Sequence, residues 1–266
     1  MSPAEIAAIA ERLRQAESER RQFRALSLDH PDMTIADAYA VQHAWIELKR
    51  AQGRTIRGHK IGLTSRAMQQ AVGIDEPDFG VLLDDMFYSS GARIATNRFI
   101  EPRVEVELAF VLKHELRGPC CSAIDVWRAT EFVFPALEIL DSRMFRVDPQ
   151  TKATRKVTDT ISDNAANAAL VLGDTMFDPR AHDLRWVSAI LTRNAVVEET
   201  GVAAGVLGNP VNGIAWLANR LHPHGVALEP GQVILSGSFT RPVDARLGDS
   251  FHADYGPLGT VVCQFC

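Results

Sequence analysis

Apolar residues recur at helical spacing through roughly the first fifty positions, and then give way to short β-branched runs punctuated by Gly and Pro. Ile6, Ile9 and Leu13 share one helical face among Ala, Glu and Arg, and the pattern breaks at Asp29-His30-Pro31. A second helix is predicted from Ala38 to Lys49. Thr34 suits its N-cap, Asp37 stands three residues on, and Gly53 lies just past its end. Beyond Arg54 the strand-like runs are Ile56 to Leu63, Ile100 to Leu112, Phe132 to Leu140, Val233 to Leu235 and Thr260 to Phe265. Helical interruptions are expected at Ser65 to Val72, Ala123 to Thr130 and Ile214 to Leu221. No repeat or low-complexity linker divides the chain. Periodicity therefore gives an α+β protein: an N-terminal helical region, residues 1–55, ahead of a mainly β part, residues 56–266.

Composition narrows the partners. The length suits one sizeable domain, or one with a small addition. A formal charge of −5 without a dense Lys/Arg block argues against nucleic acid or an anionic membrane, and points to a small molecule. No apolar run has the length of a membrane span, and the N-terminus lacks the basic-then-apolar form of a secretory signal, so the cytoplasm is the expected compartment. The cysteines fall as Cys120-Cys121 and as Cys263 and Cys266. Neither pair supplies a zinc site, and reduced thiols are expected. The histidines, His59, His222, His224 and His252 among them, form no two-His metal motif.

The informative chemistry lies in Arg103-Val104-Glu105-Val106-Glu107-Leu108, where two carboxylates interrupt a β-branched, apolar run. Residues two apart on a strand share a face, so Glu105 and Glu107 project together while Val104, Val106 and Leu108 fill the other side. Glu138 sits in a second apolar run, Phe132 to Leu140. Burial of carboxylates without a cation is costly. Three of them without His or Cys make a hard, all-oxygen site that suits Mg²⁺ or Mn²⁺ and leaves about three positions of an octahedral ion open. A Glu-x-Glu strand is also compatible with the solvated face of an antiparallel sheet. Lys60, in the apolar, glycine-flanked run His59 to Leu63, is either a surface lysine or a proton-transfer group whose pKa falls through desolvation and a nearby cation. Asp78, between Pro77 and Phe79-Gly80, reads as a turn residue. Ser236-Gly237-Ser238 is not a nucleophile elbow, and Gly201 to Gly213 fits neither a phosphate loop nor a dinucleotide fingerprint.

Taken in order, the segments Gly58 to Ser65, Asp75 to Gly80, Pro102 to Glu107, Pro135 to Ile139, Ile161 to Ala166 and Ser236 to Thr240 resemble the bacterial 2-oxo-hept-4-ene-1,7-dioate hydratases, a family within the fumarylacetoacetate hydrolase superfamily. The resemblance runs from about Tyr39 to the C-terminus. It implies a mixed β-roll with an N-terminal helical layer, assembly into homo-oligomers, and metal-dependent hydration of a 2-oxo/2-hydroxy dienoic diacid from aromatic meta-cleavage.

By the same resemblance Glu105, Glu107 and Glu138 hold the ion, and Lys60 and Asp78 divide proton transfer and water positioning. The hydroxyls of Ser162, Ser238 and Thr240 are then candidates to bind carboxylate oxygens. The basic segment Arg143 to Lys156 resembles the longer connector of the diacid enzymes, which makes Arg143 and Arg155 candidates for the distal carboxylate; a solvated basic loop is the alternative. The competing activities are 2-hydroxypentadienoate hydration and 4-oxalocrotonate decarboxylation. Carbon–carbon hydrolysis lacks an identifiable Glu–His water-activating pair, and a non-catalytic partner subunit would not need the three glutamates.

Overall fold

The computed structural model describes residues 1–266, apart from the side chains of Ala71 and Val72. The N-terminal segment folds into helices α1 (Pro3–Glu19), α2 (Leu26–Asp29) and α3 (Ile35–Ala51). The expected cap at Thr34 is present, with its hydroxyl accepting from Asp37 N while the Asp37 carboxylate accepts from Thr34 N. Ile9, Leu13, Val41 and Trp45 form a small core between α1 and α3 that also takes in Met144.

From Ile56 onward the chain is mainly strand: β1 (Ile56–Gly62), α4 (Arg66–Val72), β2 (Asp78–Leu83), β3 (Phe87–Ser89), β4 (Ala92–Ile94), β5 (Arg103–Leu112), α5 (Ala123–Ala129), β6 (Thr130–Leu140), α6 (Val157–Ser162) and β7 (Asn167–Leu172). The remainder is β8 (Ser188–Arg193), β9 (Val196–Val202), α7 (Pro210–Leu221), β10 (Val233–Leu235), β11 (Val243–Asp244), β12 (Ser250–Asp254) and β13 (Thr260–Phe265). Two mixed sheets result. The larger runs β2-β1-β10-β5-β6-β7-β3 with β11 on β5; the smaller runs β4-β13-β12-β8-β9. Among the described residues, no helix is long and apolar enough to cross a membrane.

Strand parity sorts the larger sheet into two faces. On β5, Val104, Val106, Leu108 and Phe110 enter the main core with Leu137 and Ile139 of β6. The opposite face carries Arg103, Glu105, Glu107 and Ala109, and the register sets Glu105 across from Glu138 and Glu107 across from Ala136. Ala109 pairs with Leu235, which pairs with Lys60, and Gly62 pairs with Asp78. Every acid and the lysine singled out in the sequence therefore fall on one face of one sheet. Asp78 departs from its turn reading, because it is the first residue of β2 and is held by pairing to β1.

Candidate active site

The two long central strands bring the carboxylates together. Glu105, Glu107 and Glu138 each offer an oxygen, and these oxygens lie within 4.8 Å of one another. Glu107 and Glu138 are fully buried, whereas Glu105 is half-buried. Glu107 Oε2 accepts from Gly237 N at 2.8 Å, and Glu138 Oε1 accepts from Asn167 Nδ2 at 2.8 Å. Their other oxygens, Glu107 Oε1 and Glu138 Oε2, are buried without a hydrogen-bond partner. A buried, unsatisfied carboxylate oxygen costs free energy unless something with positive charge meets it. The donors are hard oxygens only, and that set fits Mg²⁺ or Mn²⁺.

Lys60 is the cation the protein itself provides. It is buried, its Nζ stands 3.4 Å from Glu138 Oε1, and it donates to Ala165 O at 3.1 Å. Burial works against its charge, but Glu138, Asp78, Glu107 and Glu105 more than offset that and hold its pKa above the ordinary lysine value. Four carboxylates facing one ammonium set that direction. Each carboxyl responds in kind. Burial and then Glu138 raise Glu105 to about 8 and push Glu107 well above the usual range; burial raises Asp78 against the pull of Lys60. Both Asp78 oxygens are buried and free of hydrogen bonds to protein. A Cβ on Gly62 would stand 2.2 Å from Asp78 Oδ1 and 3.0 Å from Lys60 Nζ, so the pair closes over the hydrogen of a glycine.

The roof over this face is a turn, Asn164–Ala166, that follows α6. Asn164, Ala165 and Ala166 all have left-handed backbone, with φ of 54°, 50° and 58°. Non-glycine residues rarely hold that conformation in succession, and here neighbours enforce it. The Asn164 side chain bonds both Val81 N (2.7 Å) and Val81 O (2.9 Å) in the manner of an added strand residue. Gln42 donates to Phe79 O and Ile161 O. Gly80 permits the approach, since a Cβ there would sit 2.5 Å from Asn164 O.

Arg143 belongs to that clamp rather than to a substrate contact. It is buried, donates from Nε to Asp163 Oδ1 at 2.5 Å and from Nη2 to the carbonyls of Asp163 and Asn167, and its guanidinium lies 5.1 Å from the Trp45 ring centroid. The expectation for Arg143 is corrected because the side chain is fully buried, with Nε and Nη2 engaged by Asp163 and the Asn167 carbonyl. Arg155 differs: half-buried, it donates from Nη1 to Ser142 Oγ at 2.7 Å and has no carboxylate partner among the described residues. The three candidate hydroxyls are engaged with backbone. Ser162, the last residue of α6, donates to Thr158 O; Ser238 donates to Thr240 O; Thr240 Oγ1 accepts from Val106 N.

The residues that sequence reading missed are supports. Asn167 orients Glu138 and keeps its own Oδ1 unpartnered; Tyr255 places its hydroxyl 2.8 Å from Glu107 O and 2.7 Å from Ala136 O. Asn167 lies one residue past the segment Ile161 to Ala166, and that adjacency was its only signal. A cleft of about 790 Å³, lined by Thr64, Arg66, Glu76, Leu207 and Trp216 among others, abuts the cluster through Thr64, which packs on Gly237.

The matching family model, fumarylacetoacetate (FAA) hydrolase C-terminal, spans residues 49–266. The 2-oxo-hept-4-ene-1,7-dioate hydratase of Escherichia coli is 62% identical over 97% of this chain and 96% of its own. The 2-hydroxyhexa-2,4-dienoate hydratase of Comamonas testosteroni is 37% identical over 96% of this chain and 95% of its own. Among solved structures, the 4-oxalocrotonate decarboxylase of Pseudomonas putida G7, complexed with magnesium and adipate, superposes with a TM-score of 0.94 at 33% identity, covering 100% of this chain and 99% of the other.

Proposed function

The chain belongs to the fumarylacetoacetate hydrolase family, and on that premise we propose that it is a hydro-lyase that uses a divalent metal to hydrate 2-oxo-hept-4-ene-1,7-dioate. The substrate enters as its 2-hydroxydienoate tautomer, and the product is 4-hydroxy-2-oxoheptane-1,7-dioate, late in the meta-cleavage degradation of an aromatic acid. The observation that carries this reading is the convergence of Glu105, Glu107 and Glu138 beside Lys60 and Asp78 on one sheet face. We assign the three glutamates to the ion, Mg²⁺ or Mn²⁺, and place the enzyme in the cytoplasm. The outer face of the smaller sheet, where Ile190, Val197 and Val202 are exposed side by side, is assigned to a second copy of the chain; light scattering tests that assembly.

When bound, the ion supplies Lewis acidity that stabilises negative charge developing on the substrate's C2 oxygen. The protein's own groups do the rest. Lys60, held by Ala165 O and Glu138, presents an ammonium proton from a buried position, and is assigned proton delivery to the far end of the dienol. Asp78, with two buried and unpartnered oxygens, is assigned to hold the water that adds at C4 and to accept its proton. Arg155, which has no carboxylate within ion-pair distance among the described residues, is assigned to the distal carboxylate.

Decarboxylation is the second reading, and the structural likeness to a decarboxylase favours keeping it in the test. Incubation of the heptenedioate with the Mg²⁺-loaded enzyme should give the 4-hydroxy-2-oxo diacid without carbon dioxide. Release of stoichiometric carbon dioxide overturns the hydratase reading, and full activity after rigorous chelation overturns the metal.

A further inference from the structure

The segment between β6 and α6 folds back on itself as a small hairpin. Val147 bridges Thr154, and Arg155 N donates to Arg146 O at 3.0 Å, so Arg146 and Arg155 leave the hairpin side by side. Arg155 reaches Ser142 Oγ, and Arg146 reaches Glu101 through Nη1 to Oε2 (2.8 Å) and Nη2 to O (2.9 Å). Ser142 lies two residues past Leu140, which pairs directly with Arg103; Glu101 lies two residues before Arg103. Arg103 is itself on the site face of β5, next in line after Glu107 and Glu105, and half-buried. Three guanidiniums thus gather one strand step beyond the metal-site carboxylates.

Direct carboxylate partners are few, and for Arg155 only Asp163 and Asp159 act, from beyond ion-pair distance. Arg103 is paired with Asp244 at 2.7 Å and Arg146 with Glu101, both carboxylates more than half exposed at the rim, while Arg155 has none. The crowding shows in Arg146, whose pKa is lowered to about 10 by burial and then by Arg103 and Arg155. Like charges brought together and partly desolvated are unfavourable unless an anion joins them. The interval also fits: Arg103 is two residues from Glu105, about 7 Å along a strand, which is comparable to the reach of an extended seven-carbon diacid.

We propose that Arg103, Arg146 and Arg155 together form the subsite for the substrate's distal carboxylate and set the preference for diacids over monoacids, with Arg155 making the main contact. This rests on the hydratase reading above, which places the substrate's 2-oxo acid end at Glu105, Glu107 and Glu138. Arg103 and Arg146 were not singled out by their sequence context; their role comes from the hairpin and the strand register.

Two unreactive probes of equal length separate the ideas: 2-oxoheptanedioate and 2-oxoheptanoate, which differ only in the distal carboxylate. Binding to the Mg²⁺-loaded wild-type protein is measured by calorimetry. The diacid should bind about ten- to a hundredfold more tightly, as a charge-assisted contact to carboxylate allows. Arg155→Gln should collapse most of that ratio, and Arg146→Gln, at the more accessible edge, should reduce it severalfold. Equal wild-type affinities for the two probes overturn the subsite while leaving the hydratase reading intact. If neither probe binds in a Mg²⁺-dependent way, the reading of the metal site fails and takes the subsite with it. A wild-type preference that survives both substitutions also overturns the assignment.

Discussion

Glu105 and Glu138 face each other directly across the ladder between β5 and β6. Like charges at a cross-strand pair are destabilising, and here one partner is fully buried with Glu107 alongside. Such an arrangement is held together by folding elsewhere and relieved by a cation.

Neutralising one member should therefore separate stability from function. Glu105→Gln is expected to raise the melting temperature of the chelated protein, lower activity by at least about a hundredfold, and erase the stabilisation given by Mg²⁺. In the wild type that stabilisation should reach about 2.7 kcal/mol at a hundred times Kd. Thermal unfolding with and without chelator checks all but the activity. A wild-type melting temperature indifferent to Mg²⁺ rejects the site.

Lys60→Met should reduce turnover by about 10²–10⁴, the usual contribution of a positioned acid or base. Because Lys60 balances four carboxylates in the metal-free site, the variant should lose more stability under chelation than with Mg²⁺ present. Near-normal kcat would return Lys60 to a purely structural role.

Gly62→Ala places a methyl 2.2 Å from Asp78 Oδ1 and 3.0 Å from Lys60 Nζ. The expected result is a folded protein with normal Mg²⁺ affinity and turnover reduced by at least about tenfold, since misplacing reacting groups by even an ångström is costly. Unchanged turnover would show that neither group needs its present position.

Arg143→Met breaks a fully buried pair with Asp163 and should destabilise the fold by about 3–5 kcal/mol. Whatever folded enzyme remains should keep its preference between diacid and monoacid substrates. Measuring kcat/KM on both distinguishes this from a direct contact with substrate.

His59 sets an acid limit. It is buried with Nδ1 unpartnered, and burial lowers its pKa from 6.5 to about 4. Between those values the unfolded chain binds a proton that the folded chain refuses. Stability should thus be intact above pH 6.5 and decline as the pH falls toward 4, by up to about 3 kcal/mol. Because the raised carboxyls of Glu105 and Glu107 shift stability the opposite way over this range, the check is the difference between wild type and His59→Met in urea titrations at pH 7 and pH 5, where the wild type should lose stability relative to the variant at pH 5.

Much of the site was legible because it rests on strand parity, a property of local sequence. Glu-x-Glu in β5 and a glutamate in an apolar β6 were visible as such, and the Thr34 cap was spelled out by Asp37. Asp78 was misread because Pro77 and Gly80 look like turn residues, whereas its strand exists only through pairing with β1. The strands β8, β9 and β12 of the smaller sheet were missed for a related reason: they are short and half-polar, and are fixed by one another. Arg143 could not be told from Arg155 in a basic run, since what separates them is Asp163, brought close by the fold. Nor could Asn164-Ala165-Ala166 announce a left-handed turn when none of the three is glycine.

The shared face has a consequence for how such a chain can change over generations. Loops such as the hairpin of Arg146 and Arg155 can lengthen or shorten while the strands stay put, and specificity can drift with them. A single residue inserted or deleted in the middle of β5 is another matter. On one side of the lesion every side chain would swap faces, so that Glu105 entered the packed interior and Val104 took its place. Activity and folding would be lost in the same step, with no intermediate of lower activity to select from. The length of that strand is consequently held far more tightly than that of the hairpin.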